Sequence, residues 1–202
     1  FKPPVPITFG AMATHHITNE MVADKPTFVE SPEAKELLRI VQDNIIVAHN
    51  VEFDATTLAN EGIGVIRSID TEQVARHVLK SDRYALQYLR YSLDLKVTAQ
   101  AHDALGDVLV LEALFYYLKK EVRNQFELSS DEQVFEKMME LSVTPVLLVT
   151  MAFGKHKGKT FVEVIEIDKQ YLEWMYRTKT ENDIDPRDED LVFTLKFYLK
   201  IE

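Results

Sequence analysis

Apolar residues in this chain fall into short blocks whose spacing alternates between that of a strand and that of a helix. Asn44-Ile45-Ile46-Val47-Ala48 is a β-rich run and predicts a buried strand. His49-Asn50 leads from it into Val51–Glu61, a helical stretch with Asn50 as N-cap and Gly62 as its stop. Val65–Ile69 predicts a second strand, Asp70-Thr71 opens a helix to about Leu79, and Tyr84–Leu93 reads as another. The longest helix is expected over Ala104–Val122. Ala104, Val108, Leu111, Phe115 and Leu118 repeat there at helical spacing, and Leu105 and Leu109 widen the buried stripe. Ahead of these, Ser31-Pro32-Glu33 is a strong helix start, with Leu37, Leu38, Ile40 and Val41 as its apolar side. Residues 1–30, with three prolines among the first six, look irregular.

Strand–helix–strand–helix alternation says α/β. Residues 124–142 are polar and acidic around a short helix, Asp131–Leu141, and read as a connector. A second unit begins at Val143: Val146–Met151 is strand-like, Phe153–Lys159 is a tight basic turn, and helical patterns follow at Tyr171–Tyr176 and Arg187–Leu199. The expected organisation is a main domain over 1–123, a linker over 124–142 and a small module over 143–202.

Composition narrows the class. With 46% hydrophobic and 28% charged residues, the chain can bury a real core and stay soluble. No apolar run approaches the ~20 residues of a bilayer crossing, and Phe1-Lys2-Pro3-Pro4 lacks the layout of a signal peptide. The chain has no cysteine, which excludes disulfides, thiol catalysis and cysteine-based metal sites and fits a cytoplasmic location. A net charge of −10 leans against a protein that coats DNA, yet it leaves open a nuclease whose acids hold divalent cations.

Two stretches carry chemistry. In Val47-Ala48-His49-Asn50-Val51-Glu52-Phe53-Asp54 a strand ends, and one turn into the next helix a carboxylate appears. Ligand sites of α/β sheets gather at strand C-terminal ends, so Asp54 is placed to hold a metal or a substrate group. Read alone, such an aspartate is more often a surface residue drawn to the positive end of the helix dipole. The second stretch is Ala101-His102-Asp103-Ala104-Leu105-Gly106-Asp107. Positions five apart on a helix stand ~140° apart around its axis, so His102 and Asp107 cannot share a helical face. With Asp103 as N-cap and His102 in the preceding loop, the imidazole can swing over the pocket that Asp107 enters. An imidazole there suits a general base at neutral pH; alone, the pair is an ordinary loop histidine beside a capping acid.

Together these stretches resemble the second and third motifs of the DEDDh superfamily of 3′–5′ exonucleases. Thr14-His15-His16-Ile17-Thr18 is similar to its His-Gly-Ile-Thr stretch, with His16 where glycine is usual, and Ile69-Asp70-Thr71 before a helix matches its next landmark. These landmarks run in order across residues 5–118, with the layout of the exodeoxyribonuclease X-like and polymerase III epsilon-like branches. The resemblance implies a ribonuclease H-like α/β fold, a mixed sheet flanked by helices. It implies that Asp107 binds one metal directly and that Asp54 acts on a second through water. His102 would take the proton from the attacking water. His15, His49, Asn50 and Phe53 fall where members contact or stack on the terminal nucleotide, although Phe53 reads equally as core and Asn50 as a plain N-cap. The implied cofactors are two Mg²⁺ or Mn²⁺ ions per site, since carboxylates and water suit hard cations.

The superfamily's first motif, an Asp-x-Glu on the first strand, has no counterpart before Pro32. The chain is therefore expected to begin about 30–40 residues into a longer protein, or to be a fragment without activity. It should lack the fold's N-terminal strands and be inactive by itself. Met151–Lys159 with Asp168–Met175 resembles a small α+β module found behind exonuclease X-like domains. Its Lys155, Lys157 and Lys159 either face phosphates or form a solvated hairpin tip, while His77 and His156 read as surface residues. The function implied is metal-dependent removal of nucleotides from DNA 3′ ends, single-stranded DNA favoured, with a polymerase or repair complex as candidate partner and no membrane. An RNA 3′-end exonuclease, or a catalytically silent nucleic-acid-binding subunit, are the alternatives.

Overall fold

A computed structural model describes residues 1–98, 104–182, 184–185 and 188–201. Helix α1 (Phe9–His15) and the single turn α2 (Asn19–Val22) lie in the segment expected to be irregular. The hydroxyl of Thr8 accepts the N–H of Ala11, and this cap starts α1 ahead of a run of good helix formers. His16 ends α1 with φ 59°, a left-handed conformation that glycine adopts most readily. Helix α3 (Pro32–Asp43) forms as its sequence demands: Ser31 accepts the N–H of Ala34, and proline occupies the first turn.

Strand β1 (Ile46–Ala48), helix α4 (Val51–Asn60) and strand β2 (Ser68–Asp70) make a right-sized crossover unit. The strands pair in parallel, Ile46 with Ser68, Val47 with Ile69 and Ala48 with Asp70. Each is shorter than its apolar run, and among the described residues they form the whole of the sheet. The fold is thus a helix-rich α/β arrangement with a small parallel sheet.

Helices α5 (Thr71–Val78), α6 (Leu86–Ser92), α7 (Ala104–Gln125) and α8 (Asp131–Val143) close over β2. Their core holds Ile69, Val74, Leu89, Leu114, Leu118 and Met138. The buried row of α7 is Gly106, Val110, Leu114, Leu118 and Val122. The stripe expected from the sequence is therefore out of phase, since Leu105 and Val108 are 65% and 57% exposed. Apart from Asp107 and Glu112, the first half of α7 is apolar around most of its circumference, so its own periodicity does not select the inward face; packing against α5, α6 and α8 does. Helix α8, expected as a connector, sends Val134, Met138 and Leu141 into this same core, behind a capping box of Ser130 and Gln133.

A second cluster is built from Met151, Phe161, Leu172, Met175, Leu191 and Leu195. It joins α9 (Phe161–Thr180) to α10 (Glu189–Leu199). Segment 146–151 does not become the expected strand; a lone bridge pairs Thr150 with Thr160. Alternate amides of the segment, Val146 and Leu148, donate instead to Asp190 Oδ1 and Thr194 Oγ1 of α10 at 2.7 and 2.8 Å. A helix face thereby satisfies groups that a neighbouring strand would otherwise take.

Helix α9 runs well beyond Tyr171–Tyr176 and is interrupted at Asp168, whose backbone is non-helical. Lys155 Nζ and His156 Nε2 both donate to Asp168 Oδ2, at 2.7 and 2.8 Å. His156 is thus 8% exposed rather than a surface residue, edge-on to the Tyr171 ring. The basic turn lies flat against α9, and Gly154 permits this because a Cβ there would run into the Tyr171 hydroxyl. His77 is likewise half-buried, with Nε2 2.9 Å from the Thr144 carbonyl. Among the described residues, no helix is long and apolar enough to cross a membrane.

Candidate active site

The C-terminal ends of β1 and β2 lie side by side, and the chain leaves each of them directly into a helix. Asp70, the last residue of β2, serves both helices. Its Oδ1 accepts the N–H groups of Asn50, Glu72 and Gln73 at 3.0, 2.9 and 3.3 Å, and its Oδ2 that of Val51 at 2.9 Å. One carboxylate therefore caps the N-termini of α4 and α5 together, where both the orphan amides and the helix dipoles favour negative charge. Asn50 is not the side-chain N-cap expected of it: its side chain makes no capping bond, and its backbone is left-handed at φ 66°.

His49 sits beneath this junction. Its Nε2 donates to the Tyr84 carbonyl at 2.7 Å, and its Nδ1 is 3.0 Å from the Thr71 hydroxyl, which donates to the Ala48 carbonyl. Glu72 Oε2 stands 4.0 Å from the same Nε2 and pairs with Arg76 through its other oxygen. Both ring nitrogens of His49 are thus engaged within the protein.

Four of the expected residues, His15, Asn50, Phe53 and Asp54, are exposed. Phe53 is exposed by 72%, and Asn50 and Phe53 line a shallow recess of about 570 Å³ with Glu52. His15, at the end of α1, is exposed and accepts the N–H of Ile17 on its Nδ1 at 3.0 Å. Asp107 enters from the first turn of α7, half-buried, and its Oδ1 accepts the Gln87 amide at 2.6 Å. His102 lies outside the described residues. Among the described residues no hydrogen bond or ion pair joins Asp54, Asp107 and His15 to one another.

Two residues at the site, Asp70 and Gln87, have no site role in the motif pattern. The signal for Asp70 is present in the sequence, as an aspartate directly ahead of an amphipathic helix is an N-cap candidate. Asp70-Thr71-Glu72 is also the single Asp-x-Glu of the chain. Its acids are committed to helix capping and to Arg76. No local pattern marks Gln87, which meets Asp107 across 20 residues. The oxygen donors of Asp54 and Asp107 have the right chemistry for a hard divalent cation. They do not complete a site alone: among the described residues, no three His, Asp or Glu side chains stand together as metal ligands.

Residues 1–115 match the family model described as exonuclease. The chain belongs to the exonuclease family. Residues 151–179 also match the exodeoxyribonuclease X-like C-terminal model, which covers the basic turn and most of α9. Among curated relatives, exodeoxyribonuclease 10 of Escherichia coli strain K12 is 31% identical over 203 residues, spanning 98% of this chain and 82% of that protein. The DNA polymerase III subunit epsilon of Rickettsia prowazekii is 30% identical over 122 residues, 54% of this chain and 52% of that one. A solved structure of exonuclease X in complex with 5′ overhanging duplex DNA is similar with a TM-score of 0.50 and 26% identity, over 70% of this chain and 77% of that one. The exonuclease fold and the module behind it, both expected from the motifs, are therefore present.

Proposed function

We propose that the protein removes nucleotides from DNA 3′ ends, with single-stranded DNA favoured, in a reaction that depends on two Mg²⁺ or Mn²⁺ ions. The observation that carries this reading is the similarity to an exodeoxyribonuclease along 98% of the chain. Divalent ions, when bound, supply the positive charge that activates water and offsets the charge on the departing 3′ oxygen. Asp54 and Asp107 contribute carboxylates to that site, and Gln87 orients Asp107. His102 takes the proton of the attacking water. His15, Asn50 and Phe53, all exposed, meet the terminal nucleotide, with Phe53 available to stack on its base. His49 supports them from beneath through Tyr84 and Thr71.

A second reading, a silent nucleic-acid-binding subunit associated with a polymerase, is favoured by one observation: of the chain's Asp-x-Glu, Asp70 caps two helices and Glu72 pairs with Arg76, so both acids are engaged within the protein. One assay separates the two. The full-length protein is incubated with 5′-labelled single-stranded DNA, and in parallel RNA, in Mg²⁺ or Mn²⁺. A ladder shortening from the 3′ end, abolished by Asp54→Ala and by His102→Ala, is the expected result. A ladder on RNA alone would move the substrate to RNA. Binding without any product on either polymer would leave the silent subunit.

A further inference from the structure

Two recesses beside the candidate site run into one another. The one containing Asn50, Glu52 and Asp70 shares Arg76, Leu148 and Ala152 with a larger cleft of about 1070 Å³. That cleft lies between the connection from α5 to α6 and segment 146–152.

Its lining departs from the character of the chain. In a protein of net charge −10, it presents Arg76, Lys80 and Arg83 against a single carboxylate, Asp82. Arg76 is held by Glu72 at 2.5 Å and lies over the Tyr84 ring, 5.1 Å from its centroid. Lys80 and Arg83 are exposed and have no ion-pair partner among the described residues. Tyr84, Tyr88 and Tyr117 add aromatic surface, and Tyr88 is 36% exposed. Cations interleaved with aromatic rings suit a single nucleic-acid strand: phosphates meet the cations, and bases of any identity stack on the rings. An acidic peptide would satisfy the cations and leave the rings without a matching partner.

The cleft is also coupled to the site. The carbonyl of Tyr84, on its wall, accepts the Nε2–H of His49, and Arg76 reaches the same imidazole through Glu72. We infer that this cleft holds the single strand trailing behind the terminal nucleotide, with Lys80, Arg83 and Tyr88 as the residues that meet it. The inference rests on the exonuclease reading and extends it beyond the reacting end.

The test is fluorescence anisotropy of labelled oligo-dT, 3 and 12 nucleotides long, measured in EDTA so that no bond is cut. Wild type is compared with the double variant Lys80→Glu/Arg83→Glu and with Tyr88→Ala, each first shown to melt like wild type. Wild type should bind the 12-mer more tightly than the 3-mer. The charge-reversed variant should weaken about tenfold or more on the 12-mer and little on the 3-mer. Its salt dependence should flatten by about 1.4 in slope, at roughly 0.7 for each phosphate of a single strand that is no longer neutralised. Tyr88→Ala should weaken about tenfold for a stacked base and keep the slope. Wild-type affinity and slope in both variants would overturn the inference, as would stronger competition by an acidic peptide than by unlabelled dT12. The exonuclease reading is judged separately, by nucleotide release from the 3-mer by the full-length protein in Mn²⁺. Release without any length-dependent binding sinks the cleft and leaves the nuclease. No release from any substrate sinks both the nuclease and the trailing-strand assignment.

Discussion

The carboxylate of Asp70 accepts the N–H of Val51 at 2.9 Å, so the last residue of β2 holds the first turn of the helix that follows β1. The same group accepts from Glu72 and Gln73, at the start of its own helix. Two elements that carry candidate site residues are thereby set by one side chain.

Removing it should be costly. Asp70→Ala leaves four amides without their acceptor and is expected to destabilise the fold by about 2–3 kcal/mol, somewhat more than one lost cap. Asp70→Asn, which keeps one oxygen, should lose about half as much. Urea midpoints at constant slope would measure both, and a loss below about 0.5 kcal/mol for Asp70→Ala would contradict the double-cap account.

If Asp107 holds metal as proposed, Gln87 acts on it as an outer partner. Its amide donates to Asp107 Oδ1 at 2.6 Å, and an outer partner of this kind typically contributes tenfold or more to metal affinity. Gln87→Leu is expected to raise the apparent dissociation constant for Mn²⁺ about tenfold, read by calorimetric titration, while activity at saturating metal changes less. An unaltered titration would separate Asp107 from metal binding.

Acid should loosen the C-terminal module first at Asp168. Hydrogen bonds from Lys155, and then His156, lower its pKa from 3.8 to about 2. The folded state thus holds fewer protons than the unfolded chain in this range, and stability rises with pH there. The contribution is complete above about pH 4 and lost as pH falls through about 2. Asp168→Asn should flatten that stretch of the pH–stability curve, followed by the fluorescence of Trp174, which neighbours Tyr171 on α9. A variant with the wild-type curve would show that Asp168 is not the group responsible.

Burial along α7 gives a paired expectation. Leu114→Ala, in the core, should cost about 3 kcal/mol, whereas Leu105→Ala, on the exposed side, should stay within about 0.5. Equal costs in thermal unfolding would mean that the inward face of α7 has been misassigned.

These substitutions also mark where the sequence was informative. Capping chemistry is local, so Ser31-Pro32 and Asp70-Thr71 announced α3 and α5. The β-branched runs located both strands, and motif spacing placed Asp54 and Asp107 in the first turns of α4 and α7. Apart from α1 and α2, whose signals are local, what failed depended on partners distant in the chain. The inward face of α7 is chosen by other helices, and segment 146–151 is not a strand because α10 takes its amides. His156 reads as a surface residue because Asp168, twelve residues away, gives no local sign that it will turn back to meet it.

The bond from His49 to Tyr84 is made to a main-chain oxygen, and every residue type provides that oxygen. Side-chain substitution at position 84 cannot delete the acceptor; only a change in the path of the connection can. The stretch from Leu79 to Leu86 should therefore accept many exchanges of residue identity but tolerate insertions and deletions poorly. Across descendants of this sequence, the number of residues there is expected to be preserved more strictly than their kinds.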